Sequence, residues 1–194
     1  MRKVCAVIMV FMMLFAGCNK ETPVIPPLGP DTTAPNLDFP FASFASATQF
    51  TPFGDTLPNA SVNMGYLVQL SDTNEALLAA CSGIVTSITP DTAGGNFIAV
   101  KFRTNGIYSF LYGGVANVQV HVADSLNAGS IIGKASCTGQ IYFQLTKNNN
   151  EALCPQAFGS PGFNTAIAGA ISKNNAFHPT DSVSSPCTVQ SLPE

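Results

Sequence analysis

The chain has little charge. Lysine and arginine together number 8 and aspartate and glutamate 11 in 194 residues, a formal net charge of −3. So few cations leave no basic stripe to follow a phosphate backbone, which excludes nucleic acid as a partner class. Tryptophan is absent, and histidine occurs only twice, as His121 and His178. Histidine is the commonest metal ligand and the usual base near neutral pH, so a metal or acid–base centre has little to be built from. On these grounds no cofactor is expected. Long apolar runs are missing too: Val4 to Gly17 falls short of the about 20 residues that a membrane-crossing helix needs. No Cys-x-x-Cys pair occurs, which argues against, without removing, a zinc site built from thiolates.

What is present begins with an address. Arg2 and Lys3 precede the apolar run, the order of a signal-peptide n-region and core. The run ends in Leu14-Phe15-Ala16-Gly17-Cys18, which resembles the lipobox of bacterial lipoproteins, with Phe15 where a leucine is usual. The resemblance implies removal of residues 1–17, a lipid on Cys18 and attachment to a cell-envelope membrane through that lipid. Asn19 in place of an aspartate points by the same resemblance to the outer membrane. An ordinary signal peptide or a membrane anchor is the alternative. Residues 18–38 then read as a tether, because Pro23, Pro26, Pro27, Pro30 and Pro35 stand among polar residues and favour an extended, solvated chain.

From Phe39 onward short apolar runs alternate with Gly, Asn, Asp and Ser. Tyr66 to Leu70, Gly83 to Thr89, Asn96 to Phe102, Ile107 to Leu111, Val118 to Val122 and Ile141 to Thr146 have the length and punctuation of strands. Helical periodicity is confined to Asn74 to Ala80. The expected architecture is all-β, an antiparallel sandwich or barrel-sandwich hybrid with little helix, over residues 39–159. Residues 160–194 are expected as an extension of loops packed on that domain, with a strand or two near Phe163 to Ile171.

Read in order, the strands carry a family resemblance. Gly83-Ile84-Val85 resembles a "G-x-V" step, and Gly94-Gly95-Asn96-Phe97-Ile98-Ala99-Val100 resembles "G-x-G-N-x-V-x-I". Tyr108-Ser109-Phe110-Leu111 stands at "Y-x-H-L", Val118 to Gly129 at "V-x-x-G-d-x-V-x-x-G", and Ile131-Ile132-Gly133 at "x-I-G". Gln140-Ile141-Tyr142-Phe143 falls where "H-L-H-F" would be. Each glycine alone is an ordinary turn residue. The ordered set, over about residues 53–158, is similar to the M23 (LytM-type, duplicated hybrid motif) peptidoglycan endopeptidases.

That resemblance implies a zinc ion held by the His and Asp of "H-x-G-x-D" and the second His of "H-x-H", with two further histidines serving the attacking water. Here Asn63-Met64-Gly65-Tyr66-Leu67 occupies the first segment. Asn63 and Leu67 therefore replace two ligands and Tyr142 the third, while Gln140 and Phe110 replace the assisting histidines. Leucine has no lone pair, and an amide is a poor neutral donor. The expectation is a non-catalytic relative without a metal. Tyr66, Tyr108, Phe110 and Tyr142 either line a binding groove or fill the emptied site. Peptidoglycan or a cell-wall hydrolase is the expected partner. An active zinc peptidase with unusual ligands, and a surface lipoprotein reusing the scaffold, are the alternatives.

Cysteines complete the expectations. With Cys5 in the leader and Cys18 lipidated, Cys81, Cys137, Cys154 and Cys187 remain, and an oxidising envelope favours two disulfides. Four thiols allow three connectivities. The pairing expected is Cys81 with Cys137, both within the family core, and Cys154 with Cys187, which flank the extension.

Overall fold

Alternation sets the strands. In Tyr66–Leu70 (β2) the first, third and fifth residues are buried and the others half-buried, the period-two signature of a strand with one face on a core. Alternation recurs in Ala76–Leu78 (β3), Asn96–Lys101 (β5) and the first half of Tyr108–Ala116 (β6), and is weaker in Ala47–Thr51 (β1) and Gly83–Pro90 (β4). The remaining strands are Ser125–Leu126 (β7), Ile131–Ala135 (β8), Gln140–Lys147 (β9), Glu151–Leu153 (β10) and Ser191–Pro193 (β11). This computed structural model describes residues 29–92 and 94–193; the leader 1–17, Cys18 and the tether as far as residue 28 lie outside them.

The strands form one antiparallel sheet with the order β1-β2-β9-β6-β5-β4-β7, from which β10–β11 and β3–β8 branch. The all-β expectation holds. Phe143 on β9 is the hub of the core: its ring stacks on Phe41 at 4.9 Å and on Phe110 at 6.1 Å, and meets Tyr112 at 5.2 Å. Aromatic pairs at such separations add attraction beyond the area they bury.

Three expectations need correction. First, the extension is not loop and strand: Pro161–Phe177 is a 17-residue helix, α1. Ser160 caps it, its hydroxyl accepting from Phe163 N at 3.2 Å, and Pro161 fills the first turn. Its inner stripe is Phe163, Ile167, Ala170 and Asn174, at helical spacing. Only two of those are large and apolar, so a hydrophobic count passes over them. Asn174 Oδ1 accepts from Phe50 N at 3.0 Å, so the helix satisfies β1 at the edge of the sheet. The other helical candidate, Asn74 to Ala80, contains strand β3 instead.

Second, the tether does not run free to residue 38. Asp31 forms an isolated bridge with Gly106, and its side chain pairs with Arg103 at 3.0 Å. Leu37 is fully buried and its N–H donates to Phe158 O at 2.8 Å. Fully burying one leucine contributes about 1.5–3 kcal/mol, and this anchor among prolines draws residues 31–38 onto the domain as a strap.

Third, only one of the two expected disulfides forms. Cys154 is bonded to Cys187 with Cα atoms 6.0 Å apart, and Cys154 N donates to Gln190 O at 2.9 Å. The other two thiols are free: Cys81 is buried and Cys137 exposed. Cys81 enters the core ahead of β4, whereas Cys137 sits in the turn between β8 and β9, so the two point into different surroundings. Burial pushes the Cys81 thiol above its ordinary range.

Candidate functional site

The outward face of the central strands carries the site. Register places Leu67 of β2 opposite Tyr142 of β9, and Tyr142 opposite Gly113 of β6. Two residue pairs along, on the same face, Gln69 is opposite Gln140. Over this face lies a cleft of about 510 Å³, lined by Asn63, Leu67, Phe97, Gly114, Gln140 and Tyr142 among others. The chain between β1 and β2 overhangs it with Leu57, Asn59 and Val62. The volume lies within the about 300–1,000 Å³ usual for ligand sites.

Asn63 is 2% exposed and its amide is committed. Its Nδ2 donates to Thr51 O at 3.0 Å and Pro52 O at 2.8 Å, while its backbone N–H reaches Asp55 O and its carbonyl accepts from Gly54 N. The side chain therefore ties the overhanging loop to the end of β1. Tyr142 is half-buried and its hydroxyl donates to Gln144 Oε1 at 3.1 Å. Leu67 and Gln140, also half-buried, complete the floor.

Phe110 is not at the cleft. It is 1% exposed and packs between Phe102 and Phe143 on the opposite face of the sheet. Parity explains the displacement: Tyr108, Phe110 and Tyr112 alternate toward the core along β6, so none of them turns outward. Tyr66, Tyr108 and Phe110 therefore neither line a groove at the cleft nor fill it. Tyr66 is 0% and Tyr108 7% exposed, and Tyr66 packs on Phe50 while Tyr108 packs on Phe158. Burial raises the Tyr66 phenol well above its ordinary range. Of the four aromatics only Tyr142 reaches the cleft, joined there by Phe97.

The β6 residue that does line the cleft is Gly114. The strand bulges here: Ile98 pairs with Tyr112 but Asn96 with Val115, leaving two residues of β6 opposite Phe97. Gly114 takes a φ of +70°, and a Cβ on it would stand 1.9 Å from the Gln140 carbonyl oxygen. Glycine is the only residue that fits without rearrangement. The pattern "Y-x-H-L" fits the chain twice, at Tyr108 and at Tyr112, and the second fit sets Gly114 at its histidine. A tyrosine repeated four residues on, followed by two glycines, was the available signal.

The donor set does not suit zinc. Asn63 spends its amide nitrogen on carbonyls, Leu67 has no lone pair and Gly114 has no side chain. Among the described residues no three His, Cys, Asp or Glu side chains converge as a metal site would require. His121 is 90% exposed and 3.6 Å from Asp124, and His178 caps the end of α1; neither lines the cleft.

Fold and site together define a class: an antiparallel β domain with an open cleft across its central strands and a peptidase-like order of motifs. Residues 62–154 match the model of Peptidase family M23. The structure is similar to that of LytU, with a TM-score of 0.50 and 25% identity over 61% of this chain and 90% of that one. It also resembles a chain of the SpoIIQ–SpoIIIAH pore-forming complex, at a TM-score of 0.51 and 16% identity over 70% of this chain and 98% of that one. The antimicrobial peptidase lysostaphin from Staphylococcus simulans is similar at a TM-score of 0.49 and 21% identity, over 69% of this chain and 55% of that one. This chain spans about half the length of lysostaphin. No curated protein matches the sequence.

Proposed function

We propose that the protein is a non-catalytic M23-type module of the cell envelope, lipid-anchored through Cys18, that binds cell-wall material in its cleft. The observation that supports this reading most strongly is the neutral lining at the family's metal and assisting positions, where Asn63, Leu67, Gly114, Gln140 and Tyr142 meet around an open cleft. Hydrolysis of a peptide bond by this family's chemistry needs a metal to bring a bound water to a pKa of about 7, or a base poised near neutrality. Neither an imidazole nor a three-ligand set is at hand among the residues lining the cleft. The change also spares the domain a cost. An emptied cluster of Asp and His would bury charge without a partner, whereas neutral side chains need only packing and hydrogen bonds. The cleft is not filled by the aromatics that went inward, which leaves room for a ligand.

Elemental analysis of the purified protein, run beside sedimentation with purified sacculi and an assay for released peptides, tests the reading. Retention with the sacculi, less than stoichiometric zinc and no peptide release are expected. Stoichiometric zinc with peptide release would overturn it. Replacing Cys18 by alanine is expected to move the protein from the membrane to the soluble fraction.

A further inference from the structure

We propose that the cleft, together with a side trough running over β2 to β1, holds an uncharged glycan strand rather than a peptide; this rests on the reading that the cleft binds wall material without cleaving it. A second hollow of about 190 Å³ adjoins the first and shares Leu57, Leu67 and Gln140 with it, so the two form one trough. Its floor carries a row of amides. Gln49 of β1 pairs with Gln69 of β2, and Gln69 with Gln140 of β9, so three glutamines stand side by side across three strands. All three line the hollow. Neighbouring strands lie about 4.8 Å apart, and the backbone positions that carry the three amides follow one another across the strands.

The chemistry of the row selects its ligand. A side-chain amide offers both a donor and an acceptor, as a sugar hydroxyl does, and carries no charge. Gln69 is fixed in place, its Nε2 donating to Thr138 O at 2.7 Å and Leu70 O at 3.2 Å. Gln49 is exposed and Gln140 half-buried, so both can meet a ligand. At the main cleft Tyr142 and Phe97 supply aromatic surface, against which the apolar face of a pyranose can pack. No ionisable side chain lines the side trough, so nothing in it rewards a polyanion or a polycation.

A peptide finds less here. Extended peptides are commonly held by adding a strand to an open sheet edge, where backbone groups supply the affinity. The trough lies on the face of the sheet, where backbone groups are already engaged in the ladder between β1, β2 and β9. At the β1 edge, the Phe50 N–H is taken by Asn174 of α1. What remains for recognition is mainly side-chain amide, aromatic and aliphatic surface, with Asp91 the one carboxylate lining the main cleft.

The test is titration of the full chain with an uncharged N-acetylglucosamine tetramer, read by calorimetry and by saturation-transfer NMR, with tetra-alanine amide as a peptide competitor. Saturable binding is expected, undisturbed by the peptide. The double substitution Gln49→Ala and Gln140→Ala removes two hydrogen-bonding amides from an exposed and a half-buried position, and is expected to weaken binding about tenfold or more with the melting temperature kept. Failure of the tetramer to saturate at millimolar concentration would sink the assignment, as would unchanged affinity in the folded double variant or displacement by the peptide. Retention on sacculi without tetramer binding overturns the glycan assignment and leaves wall binding standing. Zinc-dependent peptide release overturns the non-catalytic reading, whatever the tetramer does.

Discussion

Substituting Asn63 separates a structural amide from a spare one. The Asn63→Ala variant strips the donors from Thr51 O and Pro52 O, one bond buried and one partly buried. A buried group deprived of its partner costs about 1–3 kcal/mol. With two acceptors left and one of them within reach of water, the loss is expected to be about 2–4 kcal/mol. Asn63→Asp should be worse near neutral pH, because an ionised carboxylate has no donor and sets a negative charge against two carbonyl oxygens. The introduced acid would be neutral more readily in the folded state, its pKa raised above an unfolded value of about 3.9. Its lost stability is therefore partly regained below that pH and lost again as pH rises through the folded pKa. Urea unfolding between pH 3 and 7, with the disulfide intact, measures both effects. An alanine variant within about 0.5 kcal/mol of the parent, the scale of an ordinary surface change, would show that the amide does not hold the loop. So would an Asn63→Asp variant whose stability is flat across that range.

Other substitutions follow from the same geometry. The Cys154–Cys187 bridge spans a sequence separation of 33; chain entropy over such a loop is roughly 3–4 kcal/mol, and replacing both cysteines by alanine should lose that much in denaturant or free the tail to limited proteolysis. Gly114→Ala should cost about 2 kcal/mol or more, the left-handed backbone alone accounting for roughly 1–2 kcal/mol before the contact with Gln140 O. Gly169→Ala, exposed in α1 with nothing within 4 Å of the new methyl, should instead stabilise by about 0.5–1 kcal/mol in thermal melts. The Asp31 carboxyl is held down to about 2, first by hydrogen bonds from Thr33 and then by Arg103. Its contribution to the docked strap is present above the ordinary carboxylate pKa of about 3.9 and lost as pH falls through about 2. Exchange of the Ile107 amide, which donates to Asp31 O at 3.1 Å, should quicken over that window, and less so in Asp31→Asn.

Much of the fold was legible because strand alternation is a local property. The runs at Tyr66, Gly83, Asn96 and Ile141 lie in strands where the pattern put them, whereas Val118 to Val122 is not a strand. Four of the five altered positions, Asn63, Leu67, Gln140 and Tyr142, do meet at one cleft, since each belongs to a motif with one fit. Phe110 went astray because its motif has two fits, and only the parity of β6 against the core decides between them. The helix was hidden because its buried stripe ends in Ala170 and Asn174, a small residue and a polar one whose burial depends on a β1 amide far away in sequence. The strap was hidden by composition: four of the five tether prolines precede Asp31, and a single leucine outweighs that texture. Pairing Cys81 with Cys137 counted thiols, but not the depth at which each is placed.

Gly114 also bears on the history such a domain can have. A site altered only by exchanged side chains can be regained one codon at a time, each step adding a ligand to a backbone already shaped for it. Here the Gln140 carbonyl occupies the space into which any side chain at position 114 would grow. Histidines placed at 63, 140 and 142 would face a backbone whose bulge must rearrange before position 114 could carry a fourth. The bulge thus closes position 114 to side chains, while positions 63, 140 and 142 around the cleft carry no such restriction.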